Sequence, residues 1–207
     1  MAVACGYSFT TVVREQGDLW AFGKGNHGVL GLWTDADQLL PALVGGADEV
    51  FDGEAVVMVS ARFLILHTAC VTAKGTLWTW GDAQFSKLGH GDREVRQRLA
   101  RLGKEMYGGS PAVMVASGNK HTLVLTAMSL AVGCVWSCGM GQFGHWQLGH
   151  GNKVDQPVLM LMVDEGFRGN QIIMVAAGAL SVALEAEGRV WTWGHGEYGQ
   201  LARRLQQ

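Results

Sequence analysis

The chain has 207 residues, of which 48% are hydrophobic, and this composition excludes a disordered segment and favours an ordered globular fold. Its 30 glycines and only 3 prolines indicate many tight turns. The formal net charge of −2, from 16 basic and 18 acidic residues, provides no general positive field that would attract nucleic acid or anionic lipid.

A seven-residue segment recurs four times along the chain. The copies are Gly17–Gly23, Gly75–Gly81, Gly133–Gly139 and Gly188–Gly194, and each has a tryptophan at its fourth position. Their last glycines are separated by 58, 58 and 55 residues. A regular period of this size indicates a repeat architecture.

Each copy predicts a set of short strands. In the second and most complete copy, apolar runs predict strands over Glu54–Ser60, Leu64–Thr72 and Gly75–Gly81. We expect a fourth strand to precede each set where a Pro-x-x-Val-like element occurs, as in Pro41–Val44 and Pro157–Met160. Four short antiparallel strands per repeat predict an all-β fold, a β-propeller with about four blades.

The signature strand alternates large and small side chains. Trp78 and Trp80 point to one face of the predicted sheet, and Leu77 and Thr79 point to the other. A large face on one blade then packs against a smaller face on the next. We therefore predict inter-blade packing roles for Trp20, Trp78, Trp80, Trp136, Trp191 and Trp193.

Two segments depart from the usual blade composition. Thr122–Trp136 is nearly all apolar, and we interpret it as parts of two strands joined by the turn Ala127–Val132 rather than as a membrane-spanning helix. Arg93–Lys104 contains five basic residues beside Asp92 and Glu94, which favours a solvated linker, with an anion-binding or nucleic-acid-binding patch as the alternative.

The motifs of cofactor sites and catalytic sites are weak. G-x-G-x-x-G occurs in Gly23–Gly28, Gly139–Gly144 and Gly194–Gly199, but its recurrence at the repeat period and the lack of a following helix indicate turn glycines. The loop histidines and the four cysteines lack metal-ligand spacing, and no nucleophile elbow occurs. We expect no cofactor, no metal and no covalent catalysis.

The repeat resembles that of the regulator of chromosome condensation family. The resemblance rests on Val113–Thr122 for the first half of the repeat, and on Leu88–Asp92 and Gln147–Gly151 for the second half. It implies one domain over residues 1–207 with repeats at approximately 1–40, 41–95, 96–152 and 153–207. The repeat histidine is His67 or His121 in the middle copies, is replaced by Phe9 in the first, and is predicted to be deleted before Ser181 in the fourth.

The number of repeats raises the question of ring closure. Members of the family resemble seven-bladed rings, whereas this chain carries four copies. We expect a closed or compact arrangement of four blades, and the alternative is an arc of a larger propeller. An open arc would expose strand edges and apolar blade faces and would promote self-association.

The fold and the resemblance together imply a binding function. We expect an intracellular protein, in cytoplasm or nucleus, that acts as a scaffold and binds a protein partner through rim loops. The contact candidates are Lys24, Asn26, His27, Asp82, Gln84, Glu197 and Tyr198. The alternative implied by the resemblance is guanine-nucleotide exchange on a Ran-like small GTPase, which four blades without a long wedge-like insertion support less well.

Overall fold

The computed structural model describes residues 1–46, 50–62, 66–127, 133–141, 146–162 and 171–201. Its strands are β1 Ala2–Cys5, β2 Phe9–Val13, β3 Leu19–Gly23, β4 Gln38–Leu43, β5 Val56–Ala61, β6 His67–Thr72, β7 Leu77–Gly81, β8 Arg96–Leu102, β9 Ala112–Ser117, β10 His121–Thr126, β11 Cys134–Gly139, β12 Gln156–Leu161, β13 Ile172–Ala177, β14 Leu180–Glu185 and β15 Val190–Gly194. Short 3-10 helices lie at Asn26–Gly28, Val50–Gly53, Gln84–Ser86 and Lys104–Tyr107.

The strands form four antiparallel sheets in chain order. The first three sheets contain β1–β4, β5–β8 and β9–β12, and within the described residues the fourth contains β13–β15. The second-copy prediction is confirmed, since β5, β6 and β7 lie at the three predicted positions. The all-β, blade-like organisation expected from the repeat is therefore present.

The outermost strand of each four-stranded sheet corrects the predicted strand order. The proline-containing strands β4 and β12 pair with β3 and β11, so each of them follows its set of three and does not precede it. In β4, for example, Leu43 lies opposite Trp20. The repeat period cannot show whether the proline-containing strand begins or ends a sheet, because a periodic sequence can be divided at any point. Only the pairing of the strands shows where one sheet ends and the next begins.

The apolar segment Thr122–Trp136 contributes to two strands, as expected. β10 and β11 pair along their full length, with Thr122 opposite Cys138 and Val124 opposite Trp136. Residues 128–132 of the predicted turn lie outside the described residues. None of the described helices is long and apolar enough to cross a membrane.

The sheets stack with a fixed polarity. In the second sheet, Thr68, Cys70, Trp78 and Trp80 share one face, which we call the tryptophan face. We call the opposite face the aliphatic face; its residues in the second sheet are Ala69, Val71, Leu77 and Thr79. The tryptophan faces of the second, third and fourth sheets each pack against the aliphatic face of the preceding sheet.

The polarity of stacking determines which of the six predicted packing tryptophans lie between two sheets. Five of them lie between two sheets, namely Trp78, Trp80, Trp136, Trp191 and Trp193. Trp20 belongs to the tryptophan face of the first sheet, which no other described sheet covers. The side chain of Arg14 lies over its ring, 5.9 Å from the centroid.

A hydrogen-bonded junction recurs at each sheet-to-sheet contact. The Val29 carbonyl, in the loop after the third strand of the first sheet, accepts from the Thr68 hydroxyl at 3.0 Å and from the Trp80 indole N–H at 2.8 Å. We call this carbonyl the junction carbonyl. Its equivalents are the Lys87 carbonyl, bound by the Thr122 hydroxyl at 2.7 Å, and the Gln147 carbonyl, bound by the Ser181 hydroxyl at 2.7 Å.

Two buried histidines complete the later junctions. His67 Nε2 lies 3.1 Å from Thr122 Oγ1, and His121 Nε2 lies 2.8 Å from Ser181 Oγ. Each hydroxyl donates its single proton to a junction carbonyl, so each must accept from its histidine, which assigns the neutral Nε2–H tautomer. Burial, reinforced by Lys87, holds the pKa of His67 well below its ordinary value of 6.5. Burial and Arg62 lower the pKa of His121 to about 3.

The fourth sheet keeps the histidine position with a different residue. Leu180 lies opposite Gly194, as His67 lies opposite Gly81 and His121 opposite Gly139. The predicted deletion therefore lies in the preceding turn and not at the histidine position. Ala179 alone separates Gly178 from Leu180, where two residues separate Gly118 from His121, and a leucine fills the place of the histidine. The fourth sheet thus offers no imidazole to a following sheet.

The first strands of successive sheets pack on one another. β5 packs on β1, β9 on β5, and β13 on β9. The Ser117 N–H donates to Ser60 Oγ at 2.9 Å, which joins the second and third sheets. The Arg62 guanidinium reaches the Ala177 carbonyl and so joins the second sheet to the fourth.

The two ends of the stack do not close on each other within the described residues. Val190 on the aliphatic face of the fourth sheet is 59% exposed, whereas the equivalent Leu77 and Val135 are 0% and 1% exposed. Val3, on the tryptophan face of the first sheet, is 67% exposed. A closed ring would bury both, so the observed arrangement is the open arc and not the expected small ring.

The basic segment is an outer strand and not a linker. Most of it forms β8, and its arginines have partners within the chain. The contacts are Arg93 with Asp155, Arg96 with Asp92, Arg98 over the Trp33 ring and Arg101 with Asp52. Three of these four join β8 or the loop before it to a neighbouring sheet or connecting loop, so the arginines bind within the protein.

We expect Trp80→Ala to lower the free energy of unfolding by about 3–5 kcal/mol, because the indole is fully buried and donates to the junction carbonyl of Val29. Trp33→Ala is the control, since Trp33 is half exposed, and its cost should stay below about 1 kcal/mol. Urea unfolding followed by circular dichroism measures both. Equal midpoints for the two variants would contradict the packing role of Trp80.

We expect stability to fall as the pH drops below 6.5, because the unfolded chain then protonates His121 while the folded chain, with a pKa of about 3, does not. The loss is about 1.4 kcal/mol per pH unit for this histidine. His121→Gln retains an N–H donor but cannot titrate in this range. Between pH 7 and pH 5, urea unfolding should show a smaller loss for the variant by about 2 kcal/mol. Identical pH profiles would refute this assignment.

Candidate partner-binding rim

The loops after the third strands lie at one end of the sheets. The Lys24 N–H donates to the Ser8 carbonyl at 2.8 Å, so the first loop starts beside the turn between β1 and β2. The same contact joins Asp82 to Leu66 at 2.6 Å and Met140 to Lys120 at 2.8 Å. We call this end the finger rim; it consists of the loops 24–28, 82–86 and 195–199 with the turns 6–8 and 118–120.

The start of each loop requires glycine. At Gly81 the φ angle is +101°, and a Cβ atom would lie 2.3 Å from the Leu66 carbonyl oxygen. Gly23, Gly139 and Gly194 have the same left-handed φ at the same register position. The glycines thus serve a close backbone approach. Residues 142–144 of the middle G-x-G-x-x-G segment lie outside the described residues.

The first loop exposes three of the predicted contact residues. Lys24, Asn26 and His27 all have exposed side chains. The Gly25 N–H donates to Asp37 Oδ1 at 3.0 Å, which fastens the loop to the segment before β4. His27 has a left-handed φ of 61°, a conformation that costs a non-glycine residue about 1–2 kcal/mol. The loop is therefore held in place by its base while its tip points outward.

The two contact residues predicted in the second loop differ in their exposure to solvent. Gln84 is exposed, but Asp82 is only 7% exposed and contacts Lys87, with 2.6 Å between Oδ2 and Nζ. Asp82 Oδ1 also accepts from the Gln84 N–H at 3.0 Å. Burial lowers the pKa of Lys87, and the bond to Asp82 opposes that change. Asp82 thus belongs to the framework of the loop, in contrast to the surface role expected from the sequence.

An aromatic tip position is shared by these loops. Phe85 stands at the position of His27 and has a similar left-handed φ of 64°. The Lys120 ammonium, from the turn between β9 and β10, lies 5.1 Å from the centroid of the Phe85 ring. Neither residue is among the contact candidates predicted from the sequence, although an alignment of the loops on their glycines would find Phe85.

The fourth loop carries the most exposed aromatic side chain of the finger rim. Tyr198, at the same tip position, is 86% exposed. His195 contacts it ring edge to ring face, with 6.1 Å between centroids, and also lies 3.3 Å from Glu197 through Nε2 and Oε2. The Tyr198 N–H donates to Gln200 Oε1 at 2.7 Å. Glu197 and Tyr198 are therefore both accessible on an internally bonded loop.

The finger rim exposes polar, charged and aromatic side chains. Its exposed charges include both signs, with Lys24 and Lys120 positive and Glu197 negative. Among the described residues, no group of three or more His, Cys, Asp or Glu side chains could hold a metal ion. Two further loop histidines serve their own sheets: His90 contacts the Thr79 hydroxyl at 2.9 Å and His150 the Ser137 hydroxyl at 2.8 Å.

Sequence models of known families match most of the chain. The match is to the Regulator of chromosome condensation (RCC1) repeat, over residues 16–61, 74–125 and 132–184, with a second model of the same repeat over residues 2–29. The E3 ubiquitin-protein ligase HERC2 of Homo sapiens is 33% identical over 200 residues. That alignment covers 96% of this chain and 4% of HERC2, so the chain corresponds to a small part of that protein.

Solved structures share the fold at lower sequence identity. Human WBSCR16 superimposes with a TM-score of 0.80 at 22% identity, over 97% of this chain and 49% of that one. Prp20p of Saccharomyces cerevisiae gives a TM-score of 0.76 at 21% identity, over 97% and 45% of the two chains. The four sheets are thus stacked as in about half of a larger propeller, which accounts for the open arc.

We expect Asp82→Asn to lower the free energy of unfolding by about 3–5 kcal/mol, because it leaves the buried Lys87 ammonium without its counter-ion. The double variant Asp82→Asn, Lys87→Met should recover part of that loss, since no buried charge remains. Arg101→Ala is the control; it removes an exposed ion pair with Asp52 and should cost at most about 1 kcal/mol. Urea unfolding measures all three, and a double variant no more stable than Asp82→Asn would contradict the pairing.

Proposed function

Because the chain belongs to the regulator of chromosome condensation (RCC1) repeat family, we propose that it is a protein-interaction scaffold that binds a macromolecular partner through the finger rim. The observation that carries the proposal is the set of exposed side chains on loops fixed at their bases. His27 and Tyr198 occupy equivalent tip positions, and both are exposed. Loops on a rigid framework are the usual location of binding residues.

The composition of the finger rim favours a protein partner. Aromatic residues supply much of the binding energy in protein interfaces, and a rim of mixed charge provides specificity. Tyr198, Phe85 and His27 provide the aromatic contacts, and Lys24, Lys120 and Glu197 provide charges of both signs. A nucleic-acid surface would instead need a continuous basic patch, and the arginines of β8 are engaged within the protein.

The relatives give a precedent for protein binding by this fold. Prp20p of Saccharomyces cerevisiae is reported with binding properties to Gsp1p and histones. Its likeness to this chain supports a shared architecture for binding. Exchange activity on a Ran-like small GTPase is the alternative outcome, and release of labelled GDP from such a GTPase on addition of the chain would favour it.

Affinity capture with matched variants tests the proposal. We expect proteins captured from a cell lysate by the wild-type chain to be reduced at least about tenfold with the variant His27→Ala, Tyr198→Ala, because the loss of two aromatic contacts costs at least 1.4 kcal/mol. The control variant Glu15→Ala, Glu187→Ala changes exposed hairpins at the opposite end of the sheets and should leave capture unchanged.

Quantitative mass spectrometry compares the three samples, and circular dichroism verifies that each variant is folded. A protein that is lost only with the finger-rim variant supports the proposal. Capture that is equal in all three samples, or that is lost only with the control variant, would refute it.

A further inference from the structure

The first sheet and the fourth sheet each have one face that no other described sheet covers. Together these two faces contain the two halves of a junction like those between consecutive sheets. The tryptophan face of the first sheet carries Thr10, Val12, Trp20 and Phe22. The aliphatic face of the fourth sheet carries Val182, Leu184, Val190 and Thr192. All eight side chains are half-buried or exposed, whereas their equivalents between sheets are mostly buried.

The first sheet repeats the donor half of the junction. Thr10 lies opposite Phe22, as Thr68 lies opposite Trp80. Within the chain, the hydroxyl at this position donates to the junction carbonyl of the preceding sheet in all three sheets that have a predecessor. Thr10 therefore presents the same donor on a surface that no other described sheet covers.

The fourth sheet repeats the acceptor half. The Thr192 hydroxyl donates to the Leu201 carbonyl at 2.6 Å, as Thr79 donates to Leu88 at 2.9 Å and Ser137 to Leu148 at 2.8 Å. In the second and third sheets, the junction carbonyl belongs to the residue immediately before that acceptor, Lys87 or Gln147. By this register, Gln200 supplies the junction carbonyl of the fourth sheet.

We propose that the first sheet of one copy of this chain docks on the fourth sheet of a second copy, with Thr10 donating to the Gln200 carbonyl. The side-chain sizes are complementary, since Trp20 and Phe22 meet the smaller Val182 and Thr192, as Trp78 and Trp80 meet smaller residues of the first sheet. We assign a second copy of this chain as the partner because each chain presents both the donor half and the acceptor half of the junction. Two copies also provide about the length of one solved propeller, of which this chain covers 49% or 45%.

The proposed contact is heterologous, because it joins two different surfaces. The pair then retains one open face of each kind, one on each copy, unless it closes into a ring, and assembly depends on concentration. The contact uses the Gln200 carbonyl at the base of the fourth loop and none of the exposed tips of the finger rim, so different variants test this contact and the scaffold function proposed above.

Charge substitutions on the two faces test the contact by complementation. Val12→Arg blocks the tryptophan face of the first sheet, and Val182→Arg blocks the aliphatic face of the fourth. Each variant alone should be monomeric, since every possible pair includes one blocked face. An equimolar mixture should form a one-to-one dimer through the intact fourth sheet of the first variant and the intact first sheet of the second.

Sedimentation equilibrium over a hundredfold range of concentration gives the masses, and thermal unfolding verifies that the variants are folded. The wild type should exceed the monomer mass at high concentration. Val57→Arg is the control; Val57 is exposed on β5 in the second sheet, away from both end faces, and this variant should associate like the wild type. A monomeric wild type, variants that still associate alone, or a mixture that stays monomeric would each overturn the proposal.

A separate variant tests the proposed hydrogen bond between Thr10 and the Gln200 carbonyl. Thr10→Val preserves the shape of the side chain and removes the donor, so it should weaken association about fivefold, as expected for the loss of one hydrogen bond of about 1 kcal/mol. Thr10→Ser retains the donor and should associate more tightly than Thr10→Val. Equal affinity for these two variants would refute the contact between Thr10 and Gln200.

Discussion

One backbone carbonyl per loop organises the contact between consecutive sheets. The carbonyls of Val29, Lys87 and Gln147 each accept a hydroxyl from the next sheet, and Val29 and Gln147 also accept a tryptophan indole N–H. A buried donor without a partner would cost about 1–3 kcal/mol, so these bonds specify the position of each sheet on its neighbour. The apolar faces then pack in a single register.

Each of these loops has a structural base and an exposed tip that are only a few residues apart. At the base, Gly81 permits the close backbone approach, and the Lys87 carbonyl holds the following sheet. At the tip, Gln84 and Phe85 project from the framework that Asp82 and Lys87 stabilise. Tip residues can therefore vary without loss of the junction, and this separation lets a repeat fold acquire different binding surfaces.

The polarity of stacking has consequences for the whole molecule. Each sheet after the first places its tryptophan face on the preceding sheet, so a stack that does not close leaves one tryptophan face and one aliphatic face uncovered. In a larger propeller, further sheets cover both. Here the exposed Val3 and Val190 mark the two ends of the arc. The two uncovered faces of the arc are therefore of the two kinds that pack against each other within the chain.

Features that depend on neighbours along the chain could be predicted from the sequence. Alternation placed Trp78 and Trp80 on one face, the glycine-bounded runs located β5, β6 and β7, and the period identified the repeat. The three-dimensional contacts were needed to show that β4 follows β3, that Leu180 occupies the histidine position, and that Asp82 lies inward beside Lys87. Periodicity and alternation are local properties, whereas strand pairing, burial and ring closure depend on contacts between residues far apart in the chain, which no local pattern encodes.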